Sequence, residues 1–204
     1  MQSDELLQEI ADYIQYEIRA GYEEIREIPQ IVAEVFGDRL GEMPSGTLRP
    51  YIEKCIQDQL HQLQLEQMSW PLITDYDRLV TSFAELESQG IVARQKFTCC
   101  GTCGAYEIAD EIAIKMQTGE PVIGYTFFHM QDTESAVAGH DLFLNYGSLD
   151  DLEASAIAVG QQIVKVFEAN GLQTKWDGDW SKRIYVVMAW QRRLQNGIGS
   201  QLLN

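Results

Sequence analysis

Gly90-Ile-Val-Ala-Arg-Gln-Lys-Phe97, followed by Thr98-Cys-Cys-Gly-Thr-Cys103-Gly104, is the stretch on which the fold turns. Up to Gly90 the apolar residues recur at helical spacing. Beyond it, short runs rich in β-branched and aromatic residues alternate with helical segments. Residues 91–97 are predicted as a strand. Residues 105–117 carry Ile108, Ile112 and Met116 at helical spacing, and Gly119 closes them. Residues 122–129 and 142–146 read as strands. Ser148-Leu-Asp-Asp151 opens a long helix with Leu152, Ala156, Val159, Ile163, Val164 and Phe167 turned inward, and Gly171 ends it. Residues 172–176 and 183–188 are strands joined through an Asp177-Gly178 turn, a hairpin signal. The order β-α-β-β-α-β-β favours an α+β fold with a mostly antiparallel sheet and helices on one face.

Upstream, Leu6, Ile10, Ile14 and Ile18 recur every four residues in an amphipathic helix that Gly21 ends. Ile28, Ile31, Val32 and Val35 mark a second helix, with Pro29 in its first turn and Gly37 at its end. Residues 38–47 read as a loop. A third helix begins near Thr47 and carries Tyr51, Ile52, Cys55, Ile56, Leu60 and Leu63 as its stripe. Trp70-Pro71 breaks the pattern. Thr74-Asp-Tyr-Asp77 resembles a capping box with Asp in the third helical position, and the helix behind it stops at Gly90. The expected organisation is a helical region over 1–70, an α+β domain over 71–190 and a weakly ordered tail over 191–204.

With 204 residues and 45% hydrophobic content, the chain can build a core without metal or disulfide help. Its four cysteines are too few for a disulfide scaffold. The net charge is −16, concentrated in residues 1–90, where 18 acids face 6 bases. Such a surface repels phosphate backbones and anionic lipid, so neither nucleic acid nor a membrane is the expected partner. The acidity reads as a solvated surface, or as a face that docks on a basic protein partner. The first ten residues, MQSDELLQEI, have no basic start and no continuous apolar run. The cytoplasm is the expected compartment. There is no nucleotide-cofactor signal.

The chemistry concentrates in two places. Cys100-Gly-Thr-Cys103-Gly104 has the shape of a zinc knuckle, a tight turn presenting two thiolates to one ion. No second CxxC exists, so the ligands nearest in type are Cys99, His129 and Asp132. A set of Cys99, Cys100, Cys103 and His129 would be a closed Zn²⁺ site. The same turn supports a thiol-dependent oxidoreductase through Cys100 and Cys103, since a helix start favours thiolate. It also supports free thiols that only pack the turn. The second place is residues 124–134. There His129 can act as ligand or general base oriented by Asp132 or Glu134, or can simply be a satisfied edge histidine while Asp132 caps the loop. Elsewhere the readings are bland. Asp75, Asp77 and Arg78 fit a helix start, Cys55 a core stripe, His61 solvent, and Trp176, Trp180 and Trp190 packing.

These motifs, Phe97-Thr-Cys-Cys-x-x-Cys103 and Phe127-Phe-His-x-Gln-Asp-Thr-Glu134, together with Gly171-Leu-Gln-Thr-Lys-Trp-Asp-Gly178, resemble a bacterial family common in actinomycetes and known only as a domain of unknown function. The likeness covers most of residues 70–190 and, more loosely, the helical front half. It implies no activity. It does imply that Cys99, Cys100, Cys103, Glu107, His129, Gln131, Asp132 and Glu134 occupy motif positions.

Overall fold

The computed structural model describes residues 2–40 and 46–194. Of the predicted loop over 38–47, residues 41–45 lie outside the described ones, while 38–40 are helical; of the predicted tail over 191–204, residues 195–204 lie outside them. The chain divides into two compact units, Met1–Leu72 with Gln191–Asn204 and Ile73–Trp190.

The first unit is helical. Its helices are α1 (Gln2–Ala20), α2 (Ile28–Leu40) and α3 (Leu48–Gln67), with a short 3-10 turn before α2. The four-residue spacing of α1 places Leu6, Ile10, Ile14 and Ile18 on one buried stripe. That stripe packs with Ile28, Val32 and Phe36 of α2 and Ile52, Ile56, Leu60 and Leu63 of α3. A bidentate pair of Arg19 with Glu66 ties α1 to α3 at 2.9 and 2.7 Å. Helix α2 runs past Gly37, where the sequence suggested a stop, because nothing forces a left-handed turn there. Leu194 packs on this core, and the Arg192 guanidinium donates to the Ala20 carbonyl at 3.2 Å.

The second unit carries α4 (Asp75–Ser88), β1 (Ile91–Arg94), α5 (Gly101–Gln117), β2 (Gly124–Phe127), α6 (Met130–Val137), β3 (Leu142–Ser148), α7 (Glu153–Ala169), β4 (Gln173–Lys175) and β5 (Ile184–Val187). The Thr74 capping box forms: Thr74 Oγ1 accepts from the Asp77 N–H, and the Thr74 N–H donates to the Asp77 carboxylate at 2.8 Å. Asp77 is thus committed to the helix start. The five strands run in the order β1-β2-β3-β5-β4. The fold is α+β, but the sheet is mixed: β1 and β2 are parallel, joined across α5, and the remaining neighbours are antiparallel.

Helices cover both faces, which corrects the expectation of one. Successive side chains of a strand alternate in direction, so Gly124 and Phe127 of β2 face opposite ways. A Cβ on Gly124 would lie 2.6 Å from Val159 of α7. Phe127 packs instead with Val92 and Ile108, the latter on α5. Helix α4 lies beside α7, joined by the Phe83–Phe167 ring pair at 6.0 Å. The 97 end of the first predicted strand and the start of the first predicted helix also shift. Residues 95–100 are a bend, and α5 begins at Gly101. Helix α6, between β2 and β3, has no counterpart in the predicted order.

No helix among the described residues is long and apolar enough to cross a membrane.

Candidate metal centre

The site is built from the end of β1. After Arg94 the chain passes through Lys96 at φ 46° and Thr98 at φ 58°. Both angles are left-handed, and for a β-branched threonine this is an unusual conformation. Three hydrogen bonds hold it. The Phe97 N–H donates to the Phe128 carbonyl at 2.8 Å, the Met130 N–H to the Thr98 carbonyl at 3.1 Å, and the Thr98 hydroxyl to the Cys100 carbonyl at 3.1 Å. The bend is therefore stitched to the segment where β2 becomes α6, and it delivers Cys99 and Cys100 to the first turn of α5.

Helix α5 can approach the sheet here because residue 104 is glycine. A Cβ at that position would fall 2.4 Å from the Phe127 ring. At its far side, α5 is anchored by ions. The Arg94 guanidinium reaches Glu111 at 2.7 Å and Glu87 at 2.5 Å, and the Lys115 ammonium pairs with Glu87. Burial pushes the Glu87 carboxyl up, but the Ala93 N–H, the Lys115 ammonium and the Arg94 guanidinium outweigh it and hold the group below its usual range.

Cys100 is the N-cap residue of α5, in extended conformation. Cys103 follows on the first turn. The three sulfurs of Cys99, Cys100 and Cys103 all lie within 4.8 Å of one another, and Cys99 Sγ is 3.4 Å from Cys103 Sγ. Cys99 is exposed and the other two are half-buried. The thiols divide their acidity. The Cys103 backbone N–H, the Cys103 and Cys99 thiols and, more weakly, the Thr102 N–H pull the Cys100 thiol below its usual range. The Cys103 thiol is pushed up to about 12 by its contacts with Cys99 and Cys100. Such an arrangement presents three sulfurs to a single point, with the Cys100 thiol more acidic than that of Cys103.

His129 is close by but does not join the sulfurs. Its Nε2 lies 3.6 Å from where a Cβ of Gly101 would sit, yet no group of ligand atoms within 4.8 Å among the described residues includes it. The imidazole is the N-cap of α6. Nδ1 accepts from the Asp132 N–H at 3.3 Å, while the His129 N–H donates to Asp132 Oδ2 at 3.0 Å. With the Nδ1 lone pair used in the cap, the neutral ring carries its proton on Nε2, and Nε2 stands 3.1 Å from Asp132 Oδ2. Neither nitrogen offers a metal a lone pair in this arrangement. Burial pushes the imidazole below its usual pKa; Asp132 opposes this and Arg183 adds to it.

Asp132 is buried and serves the cap and the Arg183 guanidinium, 2.6 Å away. Arg183 also donates to the Phe143 carbonyl at 3.0 Å and lies over the Phe143 ring. Glu107, Gln131 and Glu134 are exposed on α5 and α6. Sequence reasoning passed over Arg183 as a site residue because its partner is remote along the chain. The cap role of His129 had a visible signal: His129-x-x-Asp132 has the spacing of a capping box, with imidazole in place of hydroxyl.

Fold and site thus define an α+β protein with a three-thiol turn at a helix start. The chain belongs to the family described as "Domain of unknown function (DUF6891)", which it matches over residues 3–194. No curated protein and no solved structure matches it.

Proposed function

We propose that the 99–103 turn is a metal-binding centre in which Cys99, Cys100 and Cys103 are the ligands, with a regulatory or partner-binding role in a reducing, cytoplasmic setting. The observation that carries this reading is the convergence of three sulfurs within 4.8 Å. At a Zn–S distance of about 2.3 Å, tetrahedral thiolates lie about 3.8 Å apart, so small side-chain adjustments suffice. Soft thiolates select ions of the zinc and copper(I) type over magnesium or calcium. Protein purified without chelator is expected to carry about one equivalent of a thiophilic metal per chain, lost on Cys103→Ser. A content below about a tenth of an equivalent, unchanged by that substitution and by zinc supplementation, would overturn the reading.

The split acidity of the turn favours a second reading, a thiol-dependent oxidoreductase with Cys100 attacking and Cys103 resolving. It predicts that Cys100 is alkylated first and quickly at about pH 6. Slow, equal labelling of every cysteine at that pH rejects it.

A further inference from the structure

Resting on the metal reading, we propose that the centre accepts trivalent oxyacids of the arsenic class, arsenous acid above all, through a three-sulfur ligand set that has no fourth protein donor among the described residues.

Donor number comes first. Zinc in a structural site takes four ligands, and the described residues bring three sulfurs together without a fourth ligand atom. The nearest imidazole is spent: the Nδ1 lone pair of His129 caps α6, and Nε2 faces the Asp132 carboxylate. That carboxylate is itself held by Arg183. A four-coordinate ion must therefore import its last ligand. Trivalent arsenic, with a stereochemically active lone pair, is complete with three sulfurs in a pyramid.

Spacing agrees. Bond angles in such a pyramid fall below tetrahedral, which draws the sulfurs closer than the roughly 3.8 Å edge of a zinc tetrahedron. The Cys99–Cys103 edge is already 3.4 Å, and the two edges to Cys100 lie within 4.8 Å. Access agrees as well. Cys99 is exposed, and arsenous acid is uncharged at neutral pH, so a chain of net charge −16 does not repel it.

The chemistry balances without a redox partner. Three As–O bonds break and three As–S bonds form. Each thiol proton leaves with a hydroxyl group, so one arsenous acid and three thiols give the trithiolate and three waters.

The test uses the full reduced chain and sodium arsenite. Intact mass is expected to rise by one arsenous acid less three waters, which is one arsenic less three hydrogens, and titratable thiols to fall from the four cysteines to Cys55 alone. Zinc preloaded on the protein should be released into an indicator dye at equimolar arsenite. The third attachment is intramolecular, so Cys99→Ser and Cys103→Ser should each weaken arsenite retention by more than about tenfold. Cys99 is exposed, so its substitution leaves the core intact if Cys103→Ser does not fold. Cys55→Ser should change nothing. Zinc held against excess arsenite, or arsenic bound with only two thiols consumed, overturns this inference and leaves the metal reading standing. Binding of neither zinc nor arsenite removes both.

Discussion

His129 carries two readings in the sequence, metal ligand or satisfied edge histidine, and its hydrogen bonds fit the second. A histidine beside three cysteines invites the role of ligand, but its Nδ1 is an acceptor in the cap of α6. That placement has a pH signature. Its pKa is pushed below the usual 6.5, mainly by burial. The unfolded chain therefore takes up a proton near 6.5 that the folded chain resists. Stability of the second unit should fall as the pH drops from about 7.5 to about 5.5, by an amount that His129→Asn removes. Asparagine keeps a cap acceptor and does not titrate. Urea midpoints at the two pH values, followed by tryptophan fluorescence, check this; an identical pH slope in the variant would show that His129 does not titrate as described. The cysteines were legible from sequence because all three lie within five residues, so local turn geometry alone decides their proximity. The imidazole was not, because its ring orientation depends on Asp132 and on Arg183, fifty-one positions further along.

Elements were read unevenly, for physical reasons. Helix α1 and the capping box of α4 stood out because their signals are local: a four-residue stripe and a Thr-x-x-Asp spacing. Helix α6 was hidden because its eight residues follow a strand-like run and its cap is a histidine, not a hydroxyl residue. The mixed character of the sheet was hidden too. Parallel pairing of β1 with β2 is fixed by α5 packing on Phe127 through Gly104, a contact between residues with no periodic relation. Element-scale anchoring can be measured at Glu87, which joins the end of α4 to Ala93 and Arg94 on β1 and to Lys115 on α5. Glu87→Gln should cost about 1–3 kcal/mol in urea unfolding of the second unit, because it leaves two partly buried cations short of a partner. Its carboxyl is held below the usual 4.5, so this contribution is present above that value and is lost as the pH falls through the folded pKa. A loss under about 0.3 kcal/mol near neutral pH would mean that solvent screening makes the cluster inert.

At the scale of the molecule, acidity is shared by both compact units: of the 31 acids, 14 lie in Met1–Leu72 with Gln191–Asn204 and 17 in Ile73–Trp190, the unit that carries the thiol turn. The metal proposal needs only that unit's bend, held by Phe97, Thr98 and Met130. X-ray absorption at the zinc edge on the loaded full-length chain decides the ligand set. Three sulfur scatterers at about 2.3 Å, with a single light atom completing the shell and no imidazole pattern, match the turn seen here. Two sulfurs or fewer, or an imidazole in the shell, would contradict it.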